Sequence, residues 1–261
     1  MTHRVRLSTF ACCGVAALAI GCSRAAAPPA PPAAEPRVVD LGHALAETDP
    51  TWSGDRVFKH TTVATIARDG YFGAGFSTEE HFGTHLDAPA HFAAEGLTAD
   101  RIPADRLVRP AVCINVAAAV KSNEDYRVTL SDLQAFEREH GSIAEGVIVA
   151  IATGWDERWP DQGRYMNVRA GVKHFPGLTV EAAQHLIQRR VAGIVIDTPS
   201  VDYGPSQGFE VHHATMPAGI YHIENAAGLT TLPAAGFTLV VAPIKIHDGS
   251  GGPARVFGLI R

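Results

Sequence analysis

The chain has 261 residues, of which 46% are hydrophobic and 19% charged, with a formal net charge of −5. That balance is ordinary for a globular protein and excludes disordered and fibrous classes. The body of the chain carries no Lys/Arg run. Nothing therefore offers the basic stripe that neutralises phosphates, and a nucleic-acid partner is set aside.

The first residues are of a different character. His3, Arg4 and Arg6 precede an apolar stretch from Leu7 to Ile20, followed by Gly21 and Cys22. A basic region before about fourteen apolar residues reads as an export signal, too short for a bilayer core of roughly 30 Å. Leu18-Ala19-Ile20-Gly21-Cys22 is similar to a lipobox, although Ala19 stands where Leu is usual. Residues 1–21 are expected to be a signal peptide, with lipidated Cys22 as a membrane anchor and a periplasmic location. An ordinary cleaved signal is the alternative. Residues 22–36 are Ala/Pro-rich and read as an extended tether, which leaves 37–261 as the folded domain. Outside the leader and Cys22, only Cys113 remains. It can form neither an intramolecular disulfide nor a thiolate zinc site, and it reads as a small buried hydrophobe.

In chain order, Val- and Ile-rich runs predict strands over 38–41, 61–66, 111–116, 146–152, 193–196 and 238–246. Helices are predicted over 130–140, after a capping-box-like Thr129-Leu130-Ser131-Asp132, and over 179–190, with Thr179 as N-cap. The Pro/Gly-rich stretches 155–177 and 199–208 read as long surface loops. This mixture predicts an α/β fold: a single domain around a mixed β-sheet with flanking helices.

The chemistry concentrates between Glu80 and Phe92, where His81, His85, Asp87 and His91 fall within eleven residues. Gly83 and Pro89 argue against a helix. In an extended chain side chains alternate with period two, so these four share one face, while Phe82, Thr84, Leu86, Ala88 and Phe92 occupy the other. Imidazoles with a carboxylate suit Zn²⁺, Mn²⁺ or Fe²⁺, with Gly83 allowing close backbone approach. An oxygenase facial triad on His85-Leu86-Asp87 would leave His81 and His91 without roles. A second polar island comprises Glu210, His212, His213, Glu224 and Asn225. His212 or His213 with Glu224 could complete the first centre or hold a second ion. No Gly-x-Ser-x-Gly elbow or phosphate loop is present, and metal-activated water is the remaining chemistry.

The run from His81 to Phe92 resembles the H-x-G-T-H-x-D-x-P-x-H signature of the metal-dependent cyclase family, which includes kynurenine formamidases (arylformamidases) and isatin hydrolases. Trp52-Ser53-Gly54-Asp55, the segment from Gly193 to Asp202, and His212 with Glu224 twelve residues later are similar to further family elements. Gly154-Trp155-Asp156, His174-Phe175-Pro176-Gly177 and the segment from Gly249 to Val256 resemble the isatin hydrolase branch. The resemblance implies a cyclase/kynurenine formamidase-like fold, in homodimers or larger oligomers. It implies His81, His85 and Asp87 as ligands of a divalent metal (Mn²⁺ or Zn²⁺) and His91 as the proton shuttle. His212 and Glu224 would hold a second ion or line the site, giving one or two ions per chain; His212 is preferred to His213 on spacing. The expected substrate is a small aromatic amide, first an isatin-like lactam and second an N-formylkynurenine-like formamide. Trp52 and Phe76, or Phe72 in its place, are the aromatic residues expected to stack on it. A non-catalytic exported metal-binding lipoprotein is the alternative of another class.

Overall fold

The structure is a computed structural model that describes Met1 and residues 35–260. The expected signal peptide, Cys22 and most of the tether lie outside the described residues. The strands are β1 (Arg37–Asp40), β2 (Lys59–Ala64), β3 (Gly73–Ser77), β4 (His85–Asp87), β5 (Val108–Asn115), β6 (Arg127–Val128), β7 (Ile148–Ala152), β8 (Gly177–Leu178), β9 (Gly193–Ile196), β10 (Tyr221–Glu224), β11 (Phe237–Pro243) and β12 (Gly251–Ile260). The helices are α1 (Ile66–Asp69), α2 (Ala104–Leu107), α3 (Ala117–Ser122), α4 (Leu130–His140), α5 (Gln162–Met166), α6 (Val180–Gln188) and α7 (Glu210–Thr215).

The principal sheet is mixed and runs β1-β12-β11-β5-β7-β9-β10-β4. The pairs β5–β7, β7–β9 and β9–β10 are parallel. Strand β12 pairs with β11 through Ala254–Ile260 and, through Gly251, Gly252 and Pro253, with β4. This second pairing closes the sheet into a barrel, with β1 added along the far half of β12. The ribbon β2–β3 and the pair β6–β8 are separate.

Alternation along the strands divides the core in two. Ile148, Ala150 and Ala152 of β7 join Leu86, Ala111, Cys113, Ile223, Leu239 and Val256 in one cluster, inside the ring. The small residues among them suit the narrow interior of a closed barrel. Val149 and Ile151 turn the other way, onto Leu133 and Phe136 of α4 and Ala182, Ala183 and Leu186 of α6. Being buried on both faces, β7 is a continuous apolar run. Each fully buried Ile or Leu here contributes about 1.5–3 kcal/mol. Cys113 is buried, and burial pushes its thiol up to about 12.

Two expectations need correction. The stretches 155–177 and 199–208 are surface loops only in part. Trp155, Tyr165, Met166 and Phe175 are buried, as are Ser200, Val201 and Asp202, because the outer face of the barrel needs an apolar cover. Nor is the chain extended throughout 81–91. Only His85–Asp87 is strand, Gly83 takes a left-handed φ of +64°, and Pro89–His91 is a 3₁₀ turn. Gly83 is there for that backbone turn, and a Cβ on it would strike Leu45 Cδ2.

Candidate metal centre

Strand β4 supplies the first pair of side chains. His85 and Asp87 are 3% and 1% exposed. They project from the outer surface of the barrel, because Leu86 between them points inward. His222 and Glu224 of β10 lie opposite Asp87 and His85 in the ladder and share that face. The turn at Gly83 returns His81 to the same side, and its Nδ1 approaches Asp87 Oδ1 at 2.5 Å. His81 Nε2 donates to Ser250 Oγ at 2.9 Å, since that hydroxyl spends its own proton on Glu80 Oε2. Nδ1 is therefore the nitrogen turned to the centre. Gly251 makes room for this ring; a Cβ there would come within 2.6 Å of His81 Cε1 and collide with the Leu86 carbonyl.

His212 enters from α7. Asp202 accepts from the backbone N–H groups of Val211 and His212 and, at 2.6 Å, from His212 Nδ1. One carboxylate thus satisfies the start of a short helix and aims a ring. His212 Nε2 then lies 3.4 Å from both Asp87 Oδ2 and Glu224 Oε1. His213 is exposed and turned away, its ring edge-on to Phe92. His85 Nδ1 contacts the Gly83 carbonyl at 2.9 Å, which leaves Nε2 facing Asp87 at 3.1 Å and Glu224 at 3.7 Å. Asn225, next to Glu224, fixes the turn by donating to the same Gly83 carbonyl at 2.8 Å.

The electrostatics are those of a cation site. Burial and the neighbouring Asp87 charge push the Glu224 carboxyl up, against the pull of His212 and His85. His85 loses to burial but gains more from Asp87 and Glu224, and rises to about 9. His212 is likewise opposed by burial, yet hydrogen bonds to Asp202, Asp87 and Glu224 hold it well above the usual imidazole range. Two buried carboxylates here demand positive charge, which protons supply in the metal-free protein. Imidazole nitrogens with carboxylate oxygens, outer nitrogens already hydrogen-bonded, fit a divalent cation.

His91 differs from its neighbours. It is exposed, with its ring stacked on His81 at 3.9 Å between centroids. Desolvation, outweighing the attraction of Asp87 and aided by the neighbouring imidazoles, lowers it to about 4, so the ring is neutral at pH 7. A cavity of about 310 Å³ opens over these groups, walled by Trp52, Phe92, Met166, Pro199 and Phe209. Trp52 packs edge-on to Phe175 and tilted to Phe209, with Lys173 Nζ 4.0 Å from its ring. Phe76 is not in this wall. It lies on the β2–β3 ribbon, 59% exposed, with its ring near Phe58, because the ribbon pairs only with itself. Phe72 is exposed just before β3. Phe92, placed by alternation on the opposite face, lines the cavity 4.6 Å from His212, because the 3₁₀ turn breaks the alternation. Sequence reasoning also missed Asp202 as the support of His212, and His222. The His222-Ile223-Glu224 alternation was a signal for the latter once the segment is known to be a strand.

The family model described as "Putative cyclase" matches residues 39–203, more than half of the chain. The chain belongs to the cyclase family. Among curated members of that family, isatin hydrolase of Roseibium aggregatum is 32% identical over 190 residues, 69% of this chain and 72% of its own. Kynurenine formamidase of Salinibacter ruber is 29% identical over 222 residues, 84% of this chain and 95% of its own. The solved structure of isatin hydrolase A from Ralstonia solanacearum superimposes with a TM-score of 0.81 at 36% identity, covering 86% of this chain and 92% of that one. The cyclase-family fold is therefore shared along nearly the whole described body.

Proposed function

We propose that this chain, a hydrolase of the cyclase family, opens the amide of a small cyclic aryl lactam of the isatin type. The observation that carries the reading is an exposed imidazole, His91, stacked on half-buried His81 beside buried carboxylates and imidazoles that fit a metal ion, under an aromatic-walled cavity. His81, His85 and Asp87 would hold one divalent cation, with His212 and Glu224 lining the site or holding a second; Mn²⁺ and Zn²⁺ are the candidates. Such a cation lowers the pKa of water from about 15.7 towards 7 and polarises a carbonyl.

The chain's own residues supply the rest. Trp52 and Phe209 present flat apolar surface to an aromatic ring, while Phe92 and Met166 limit water around it. His91, uncharged at pH 7, takes a proton from the attacking water and returns it to the leaving aryl nitrogen. Opening such a lactam adds water across one C–N bond and leaves the amine and the new carboxylate on the same molecule. An aryl formamide presents the same carbonyl and leaving nitrogen, and is the second reading, supported by the kynurenine formamidase relatives.

The deciding experiment is a hydrolysis screen of isatin and N-formylkynurenine with the protein loaded separately with Mn²⁺ and Zn²⁺. Lactam opening with little formamide cleavage supports the first reading. The reverse preference selects the second, and failure on both overturns the substrate class. The exposed apolar side chains Val63, Ile66, Tyr71 and Phe72 around the β2–β3 ribbon support assembly as a homodimer or larger oligomer, checked by light scattering. The leader supports export to the periplasm with lipidation at Cys22. Intact mass and fractionation test this, and cleavage elsewhere without an acyl group would leave a plain secretory signal.

A further inference from the structure

His222 is wholly buried on β10, opposite Asp87 and on the same strand face as Glu224. Its ring has an assignable tautomer. Thr215 Oγ1 donates its only proton to the Val211 carbonyl at 2.7 Å, so at 2.8 Å from His222 Nε2 it acts as acceptor. The hydrogen is therefore on Nε2, and Nδ1 is a bare lone pair. That Nδ1 has no hydrogen-bond partner among the described residues. An unmet buried acceptor is destabilising, a burden that a site keeps when the lone pair is used.

Nearby groups cannot satisfy it with a proton. The His212 ring stands edge-on at 4.7 Å, but its Nδ1–H belongs to Asp202 and its Nε2 faces Asp87 and Glu224. Asp87 and Glu224 are acceptors when ionised. A ring nitrogen of His222 lies within 4.8 Å of ligand atoms from Asp87, His212 and Glu224, all four side chains being buried. An apolar filler would satisfy packing alone, as Ile194 does at the adjacent position of β9.

We propose that His222 Nδ1 is a fourth ligand, with Asp87, His212 and Glu224, for a second divalent cation. The proposal rests on reading this site as a metal-dependent hydrolase centre. Two nitrogens and two carboxylates suit a borderline ion such as Zn²⁺ better than Mg²⁺ or Ca²⁺. Four protein donors complete a tetrahedral shell, which is the form of a structural zinc site, whereas a catalytic site keeps a position open. The second ion accordingly braces β4, β10 and α7, and His81, His85 and Asp87 are left as the open, catalytic set.

The test uses the full chain, stripped with a chelator and titrated with Zn²⁺. Ions per chain are counted by elemental analysis, affinities are taken from competition with a chromophoric chelator, and histidine nitrogens are followed by long-range ¹H–¹⁵N NMR. The wild type should bind two ions, and the second should shift the His222 Nδ1 resonance from its unprotonated position. His222→Leu should keep the first ion and weaken the second more than about 100-fold, beyond the roughly 10–100-fold cost of losing an outer support. A smaller loss, a wild type holding one ion only, or an unmoved His222 Nδ1 resonance would each overturn the assignment. A wild type that binds no Zn²⁺ would instead overturn the reading of the site as a metal centre. Should His222→Leu fail to fold, the wild-type resonance decides alone.

Discussion

Cation uptake by this site should expel protons, and the number follows from the arrangement around Asp87 and Glu224. In the metal-free protein His85 titrates at about 9 and His212 well above the usual imidazole range. At pH 7 both rings are therefore charged; the ion on His81, His85 and Asp87 must displace the His85 Nε2 proton, and the second ion the His212 Nε2 proton. Removing the His85 proton at pH 7 costs roughly 3 kcal/mol, two pH units at about 1.4 kcal/mol each. One proton released per ion makes each apparent affinity rise about 10-fold per pH unit, as long as the ring concerned stays protonated in the free protein. The assay is isothermal titration of stripped protein with Zn²⁺ at pH 7 in buffers of different ionisation enthalpy. The slope of apparent enthalpy against buffer enthalpy counts the protons, and repeating the titration at pH 6.5 and 8 gives the pH dependence of affinity. A slope near zero, or an affinity flat across this range, would refute the charge balance described for the site.

Metal-free stability should show the opposite trend with pH. The His85 value in the folded protein lies above the unfolded value of about 6.5, so its stabilising contribution is complete below 6.5 and lost as pH rises through 9. The metal-free melting temperature should fall over that window, while the loaded protein, checked by calorimetry, should not follow it. His91→Ala should retain the ion by elemental analysis and lose roughly 10²–10⁴-fold in turnover. Asp202→Asn, which unsettles the His212 ring, should weaken cation binding by about 10–100-fold in chelator competition. Asp197 accepts from the Thr153 N–H and hydroxyl and from the Gly154 N–H. Asp197→Asn sets an amide NH₂ against those donors and should cost about 2–4 kcal/mol in denaturant unfolding.

What could be read from the sequence depended on how local the signal was. Helix α4 starts where expected because Thr129 and Asp132 close a capping box within four residues. The expected strand over 193–196 coincides with β9, an apolar run bounded by a glycine and an aspartate. Strand β12 was missed because it opens on Gly251-Gly252-Pro253, a turn-like string that becomes strand only by pairing with β4 and β11. Helix α7 was missed because it is short and follows Phe209, which has a left-handed φ of 49°. At the centre, the residue types and spacing were enough to nominate His81, His85, Asp87 and His91. Alternation placed His85 and Asp87 together for the right reason. His81 and His91 reach the same place by different means, a left-handed glycine and a proline-led turn, which strand periodicity does not describe. Long-range partners such as Asp202 and Ser250 emerge only when distant segments meet.

The barrel closes at β4, and β4 carries two of the side chains proposed as metal ligands. His212 reaches Asp87 across 125 residues of sequence, and Ser250 reaches His81 across 169. Loop closure on that scale tends to come late in folding. The chain thus has no assembled cation pocket while its ends are apart, and a bound ion favours the closed ring over every opened form by mass action. The ion then works as a clasp. Amide hydrogens of β4 and its neighbours should exchange much more slowly when it is present, whereas those deep in β7 should exchange only through global unfolding in either state.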